Sequence, residues 1–412
     1  MTSRERVIAA IEHREPDRVP LDLGGSFVTS IHAQALAHLR RELGLEDRPI
    51  RLHDAVQMLG EVEMDVVEAL ELDVLPVEPL NLRVAARSDR HRIWKLFGIE
   101  ILVPEEFDVE QDEKGGWLLF NGAGENRRAT MHMPADGFYF DTIDYGAWDP
   151  DFTPPPLERI REASKHWHLT PQRLEYLGSR AEKLRRTTDK ALMLNPWGGL
   201  GMHYVGRLTE FLCLLAEDPA YVRDLFGVCV EVALGNLERL WEVVGENADL
   251  IFITGLDFGS QRAELFSPET FREVYLPALK AHYDWIHENT TWACFEHSCG
   301  SIARIVEDIA DAGLDVLNPI QTTAAGMDPA SLKRRVGGQV CFWGGGVETQ
   351  GTLQFGTPDE VRREVAERVR IFGAGGGFVF CPDHNIQPNT PPENIIAAYT
   401  TAREVGQYPI AQ

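Results

Sequence analysis

Short β-rich runs alternate with longer segments of helical period along this chain, and that alternation admits few architectures. The runs are RVPLDL from Arg18, LDVLPV from Leu72, ALMLNP from Ala191, DLIFIT from Asp249, WACFEH from Trp292, LDVLNP from Leu314, QVCFWG from Gln339 and GFVFCP from Gly377. Eight such runs separated by helices predict an α/β fold, a (β/α)8 TIM barrel. The last units are the most legible. Ser301 to Gly313 carries Ile302, Ile305, Val306 and Ile309 on one face, which predicts a helix between two strands. Thr357-Pro358-Asp359-Glu360 reads as a cap, a first-turn proline and a capping-box glutamate ahead of Val361, Val365, Val369 and Phe372.

Between residues 81 and 147 the helical period gives way to alternating segments with turns at Lys114-Gly115-Gly116 and Asn121-Gly122. This predicts a β-rich insertion after the second barrel strand, which either folds over the barrel mouth or serves as a surface flap or oligomer contact. With no solenoid repeat and no low-complexity linker, residues 1–412 read as one TIM-barrel domain with that insertion inside it.

A charge balance of 40 Lys+Arg against 64 Asp+Glu, net −24, disfavours nucleic-acid and membrane-surface partners, which are bound through clustered cations. The opening MTSRERVIAAIEHREPDRVP interleaves its apolar residues with charges, unlike an export signal, and no apolar run approaches the roughly 18 residues of a membrane span. A cytoplasmic protein is expected. Six cysteines in 412 residues are too sparse for a disulfide scaffold, so they are expected as thiols. Cys294 and Cys341 fall mid-strand and read as core.

Barrel active sites lie at the C-terminal strand ends, so polar residues closing each run are the candidates. His297 and Cys299 sit two apart, a spacing that points both side chains the same way on an extended strand end, and Cys381 closes another strand. A His, Cys, Cys set suits Zn²⁺ and leaves a fourth position for substrate. Glu348 is a candidate proton carrier or fourth ligand, and His384 a candidate catalytic group that would hydrogen-bond substrate or orient a ligand. Asn195, Asp257, Asn318, Gln321, Trp343 and Gln387 are candidate substrate-binding residues, with Trp197, His203 and Tyr204 as further aromatics near the mouth. Gly344 to Gly346 would let backbone approach a ligand or make a tight turn.

Several segments together resemble the uroporphyrinogen decarboxylase-like superfamily, in particular its zinc-dependent, cobalamin-linked methyltransferase branch. They are RERVIAAIEHREPDRVPLDLGG, HSCGSI at His297, GLDVLNPIQ from Gly313, FWGGGVETQGTL from Phe342 and HNIQPNTPPEN from His384. The resemblance implies a catalytic zinc on His297, Cys299 and Cys381. It also implies methyl transfer between a small molecule, such as a methyl ether, thiol or tetrahydrofolate, and a corrinoid (methylcobalamin) supplied by a partner protein. Homo-oligomerisation stays open.

The metal-free decarboxylase branch is the alternative. It holds substrate carboxylates with arginines of a glycine-containing N-terminal loop and uses an Asp just after the second strand. Here the loop reads Gly24-Gly25-Ser26-Phe27 without an arginine, and Glu78 stands where no Phe-Ser-Asp pattern occurs.

Overall fold

A computed structural model describes residues 1–79, 90–122, 124–143, 149 and 151–410. Before the middle of the chain come β1 (Ile50–Asp54), β2 (Leu59–Gly60), β3 (Val74–Val77), β4 (His91–Leu96), β5 (Ile99–Pro104), β6 (Val109–Gln111), β7 (Trp117–Asn121), β8 (Arg128–Met133) and β9 (Asp141–Thr142). Then follow β10 (Ala191–Leu194), β11 (Leu250–Gly255), β12 (Ala293–His297), β13 (Val316–Asn318), β14 (Cys341–Trp343) and β15 (Phe378–Val379).

Seven strands form one curled parallel sheet in the order β15-β14-β13-β12-β11-β10-β3, a TIM-like arrangement with helices on its outside. They match seven of the eight expected runs. The first run, from Arg18, is a difference: it forms no strand, only isolated bridges, Arg18 with Gln407 and Leu21 with Phe380. Pro20 lacks the N–H that a ladder position needs. The segment nonetheless spans the gap between the sheet's two edges. Phe380 N donates to Pro20 O and Asp22 N to Phe380 O, while on the other side Asp73 N donates to Leu21 O.

A buried ionic cluster reinforces that seam. Asp73, with no exposed surface, accepts from Arg6 Nη1 at 2.7 Å, Arg18 Nη1 at 2.7 Å and Leu21 N at 2.8 Å. Arg6 also grips Asp17 in a bidentate pair at 2.6 and 2.7 Å. The charged opening of the chain is therefore consumed in closing the barrel.

Side-chain parity divides the sheet into two cores. Val74, Ala191, Met193, Leu250, Phe252, Phe295, Val316, Cys341, Trp343, Val379 and Cys381 fill the interior. The opposite parity, including Leu75, Leu192, Ile251, Cys294, Leu317 and Phe342, packs against the helices. Because both faces are buried, the strands are near-continuous apolar runs.

The helix expected after Thr357 runs Pro358–Gly373 with its capping box formed, and Val361, Val365, Val369 and Phe372 fully buried. Its neighbour starts later than expected, at Val306. Ser301 does not cap it, because its hydroxyl donates to Ala325 O and its N–H to Ser260 O.

Six strands, β4 to β9, lie within the segment between 81 and 147, part of which falls outside the described residues. They belong to two sheets, β2-β1-β5-β4 and β6-β7-β8-β9. β5 pairs in parallel with β1, a strand the sequence analysis did not anticipate, so one sheet is shared with residues outside the segment. Tyr139 donates to Gln387 Oε1 at 2.6 Å, tying the segment to the loop after β15. No helix among the described residues is long and apolar enough to cross a membrane.

Candidate metal centre and adjoining cavity

β12 ends at His297, whose inward parity aims the ring over the barrel interior, and the chain then turns so that Cys299 Sγ lies 3.3 Å from His297 Nε2. Gly300 makes that turn feasible. Its φ is +83°, and a Cβ there would sit 2.4 Å from the carbonyl carbon and oxygen of Gly259. The loops after β11 and β12 thus touch backbone to backbone, and hydrogen bonds lock them: Phe258 N to Ser298 Oγ, Ser301 N to Ser260 O, and Cys299 N to Asp257 Oδ1.

His297 is oriented from behind. Asn318, paired with it in register, presents Oδ1 to His297 Nδ1 at 2.6 Å and donates from Nδ2 to Trp343 O. An acceptor at Nδ1 places the ring proton there and leaves the Nε2 lone pair free. Burial lowers the pKa of His297, and that of His384 to about 4, with the neighbouring His297 adding to the second effect. Both imidazoles are neutral donors at pH 7. Burial, then the Asp257 carboxylate, raises the Cys299 thiol, so a cation binding there would displace a proton.

The group whose ligating atoms all lie within 4.8 Å of one another is His297, Cys299 and His384. The expected trio has Cys381 in place of His384. Cys381 is fully buried in the interior cluster, two residues beyond the inward-facing Val379, and the chain turns after it and carries His384 to the rim. An N, S, N set with a 3.3 Å N···S spacing fits tetrahedral zinc, whose bonds of about 2.0–2.3 Å place such atoms about 3.5 Å apart.

Other expected residues are placed differently. Glu348 is not in this group: after Gly344 and Gly345, both at positive φ, the chain swings outward, and burial with the nearby Glu364 raises its pKa. Trp343 is fully buried and donates to Asp22 Oδ2, so it offers nothing to a substrate. Gln321 accepts from Gly300 N and supports the loop that carries Cys299, and Gln387 is engaged by Tyr139 and Asn385 O. Asp257 remains at the exposed rim, with Oδ1 3.9 Å from His297 Nε2.

Asn195 lines a 390 Å³ cavity together with Phe27, Trp197, Phe252, Thr254 and Gly255. Gly255 pairs in register with His297, which sets this cavity beside the donor group. Phe27 packs edge-on to Trp197 and against Phe252, giving aromatic walls. His203 and Tyr204 are elsewhere, stacked on Trp167 and Phe211.

A buried pair was not foreseen. Glu78 Oε2 lies 2.8 Å from His53 Nε2, and Oε1 accepts from Asn195 Nδ2. Burial alone would lower the His53 pKa, but the Glu78 carboxylate raises it overall. His53 lies in no recognisable motif, so no sequence signal announced it.

Comparison with known proteins agrees with this architecture. The family model described as Uroporphyrinogen decarboxylase (URO-D) matches residues 142–405. Curated relatives include a uroporphyrinogen decarboxylase of Chlorobium phaeobacteroides, 30% identical over 139 residues, covering 32% of this chain and 37% of that protein. That of Magnetococcus marinus is 27% identical over 269 residues, covering 61% and 70%, and that of Legionella pneumophila 32% identical over 249 residues, covering 57% and 65%. Among solved structures, a methyltransferase from Methanosarcina mazei shares the fold, with a TM-score of 0.55 at 17% identity over 98% of both chains. On the family match and the barrel together, the chain belongs to the uroporphyrinogen decarboxylase family.

Proposed function

We propose that this chain is a cytoplasmic, zinc-dependent methyltransferase that moves a methyl group between a small molecule, such as a methyl ether, thiol or tetrahydrofolate, and a corrinoid carried by a partner protein. The observation that carries this reading is the His297, Cys299, His384 donor group beside an aromatic-walled cavity at the strand C-terminal ends. The Methanosarcina mazei neighbour, a methyltransferase, agrees with it. The curated relatives are named as decarboxylases, but the residues that would support decarboxylation are missing here. The loop from Gly24 contributes Phe27 to the cavity and no arginine, and Glu78 is committed to His53 and Asn195.

His297 and Cys299 would hold the zinc, with the third donor from the Cys381 to His384 segment: His384 on proximity, or Cys381 on charge, since two thiolates and one imidazole neutralise the ion. Bound there, Zn²⁺ would keep a substrate thiol deprotonated or withdraw charge from an ether oxygen. Phe27, Trp197 and Phe252 exclude water from the substrate body, and Asn195 Oδ1 fixes Trp197 through its N–H. Asn318 fixes the His297 tautomer. We read residues 81–147 as an insertion within a single barrel domain that covers this face.

Elemental analysis of protein purified without chelator tests the reading. A zinc equivalent is expected that Cys299→Ala removes. Loss in His384→Ala with retention in Cys381→Ala assigns His384 as third donor, and the reverse pattern assigns Cys381. Absence of any Cys299-dependent zinc after anaerobic reconstitution would overturn the proposal. Asn318→Ala is expected to weaken zinc affinity about 10–100-fold in chelator competition, because the His297 ring loses its orienting acceptor; unchanged affinity would deny Asn318 that role.

A further inference from the structure

A second set of metal-ligating side chains lies at the other end of the same strand. His287 is in the last turns of the helix Leu276–Asn289, Cys294 faces outward near the start of β12, and Asp315 immediately precedes β13. Their ligating atoms also lie within 4.8 Å of one another. His287 Nε2 is 2.8 Å from Asp315 Oδ2 and 3.7 Å from Cys294 Sγ. The second distance matches the roughly 3.5 Å between nitrogen and sulfur on a tetrahedral zinc.

The arrangement is held in advance. Cys294 N donates to Asp315 Oδ2 at 2.7 Å, so strand backbone fixes the carboxylate against the thiol. Beside the trio opens a 370 Å³ cavity lined by His287 and Asp315, with Glu246 and Asp249 also on its wall. Two of the three donors, His287 and Asp315, thus border a space able to supply a fourth, oxygen ligand. Cys294 precedes His297 by three strand residues, about 10 Å along β12, so the two donor groups cannot share one ion.

We propose that His287, Cys294 and Asp315 form a second site for a soft divalent cation, zinc, which pins the end of the Leu276–Asn289 helix to the barrel floor. Loading would replace the proton shared between His287 and Asp315 and release that of the Cys294 thiol, while the fourth position takes water from the cavity. The role is structural, because this face of a barrel carries stability and the opposite one carries chemistry.

The test uses the full chain, stripped with chelator, reloaded with Zn²⁺ or Co²⁺ and desalted. Wild type is expected to retain two zinc equivalents, of which His287→Gln and Cys294→Ser each remove one and Cys299→Ala removes the other. Co²⁺-loaded Cys299→Ala should show thiolate-to-cobalt charge-transfer absorption that His287→Gln/Cys299→Ala lacks. Zinc should also raise the Tm of Cys299→Ala but not that of the double variant, whose native circular dichroism establishes that it is folded. Zinc content unaffected by both His287→Gln and Cys294→Ser, or no charge-transfer band in Cys299→Ala, would overturn the proposal. A single zinc lost with His287→Gln but kept in Cys299→Ala would support this site and count against the reaction centre alone.

Discussion

An Asp73→Ala variant is expected to lose about 3–5 kcal/mol of folding stability, read in urea unfolding as a lowered midpoint with an unchanged slope. The size follows from what the carboxylate leaves behind. Two guanidinium groups, Arg6 and Arg18, and the Leu21 N–H all converge on it where water does not reach. Removing it strands a buried positive charge on Arg18 and half-strands Arg6, which keeps Asp17. Asp73→Asn retains an acceptor for Leu21 and should fall between. A loss below about 1 kcal/mol, the range of exposed pairs, would show that the cluster is well solvated. The same cluster gives an acid signature. The Arg6 guanidinium, opposed by partial burial, holds the Asp17 carboxyl down at about 2 against an ordinary 3.8. Since the folded value is the lower one, its stabilisation is complete above pH 3.8 and is lost as the pH falls toward 2.

His297→Ala is expected to reduce methyl transfer by about 10³-fold, the equivalent of about 4 kcal/mol of transition-state stabilisation. The substitution removes a donor and also leaves Asn318 Oδ1 without its partner. Single-turnover kinetics with methylcobalamin as donor or Co(I) cobalamin as acceptor, in the presence of excess zinc, would measure it. A variant that keeps its zinc and at least a tenth of wild-type turnover would remove His297 from the centre. The variant is expected to fold, because His297 sits at a strand terminus and Phe295 anchors the strand two residues earlier.

The parallel strands were legible because each is sandwiched between two cores, which forces uninterrupted apolar runs such as ALML and LIFIT. Thr357 and Glu360 announced their helix through local capping that needs no tertiary partner. What tertiary contacts decide was harder to read. Ser301 resembles a cap but spends its groups on Ser260 and Ala325, and Pro20 interrupts a run whose composition is otherwise strand-like. β1 was missed because its five residues alternate charge with apolar groups and pair with the two-residue β2 and with β5, some fifty positions away.

The same division holds at the site. The approach of His297 and Cys299 followed from strand parity, whereas Asn318, expected to bind substrate, is spent on His297 Nδ1. The nearness of His384 to them was not legible, since parity sends Cys381 inward and only the turn after Pro382 brings His384 back. Glu348 lies on the loop that follows β14, while Trp343, on the strand itself, turns into the interior and bonds Asp22. Spacing says which way a side chain leaves a strand, but the course of the following loop decides what it meets.

The seam at Pro20 to Asp22 imposes an order on assembly. Its partners are β3, made early, and Phe380, near the other end of the 412-residue chain. During synthesis the stave from Pro20 must therefore wait until Phe380 has emerged before the ring can shut, and until then the sheet keeps open edges that another nascent chain can capture. Conditions that slow translation or crowd nascent chains should depress the yield of this barrel more than its final stability would suggest.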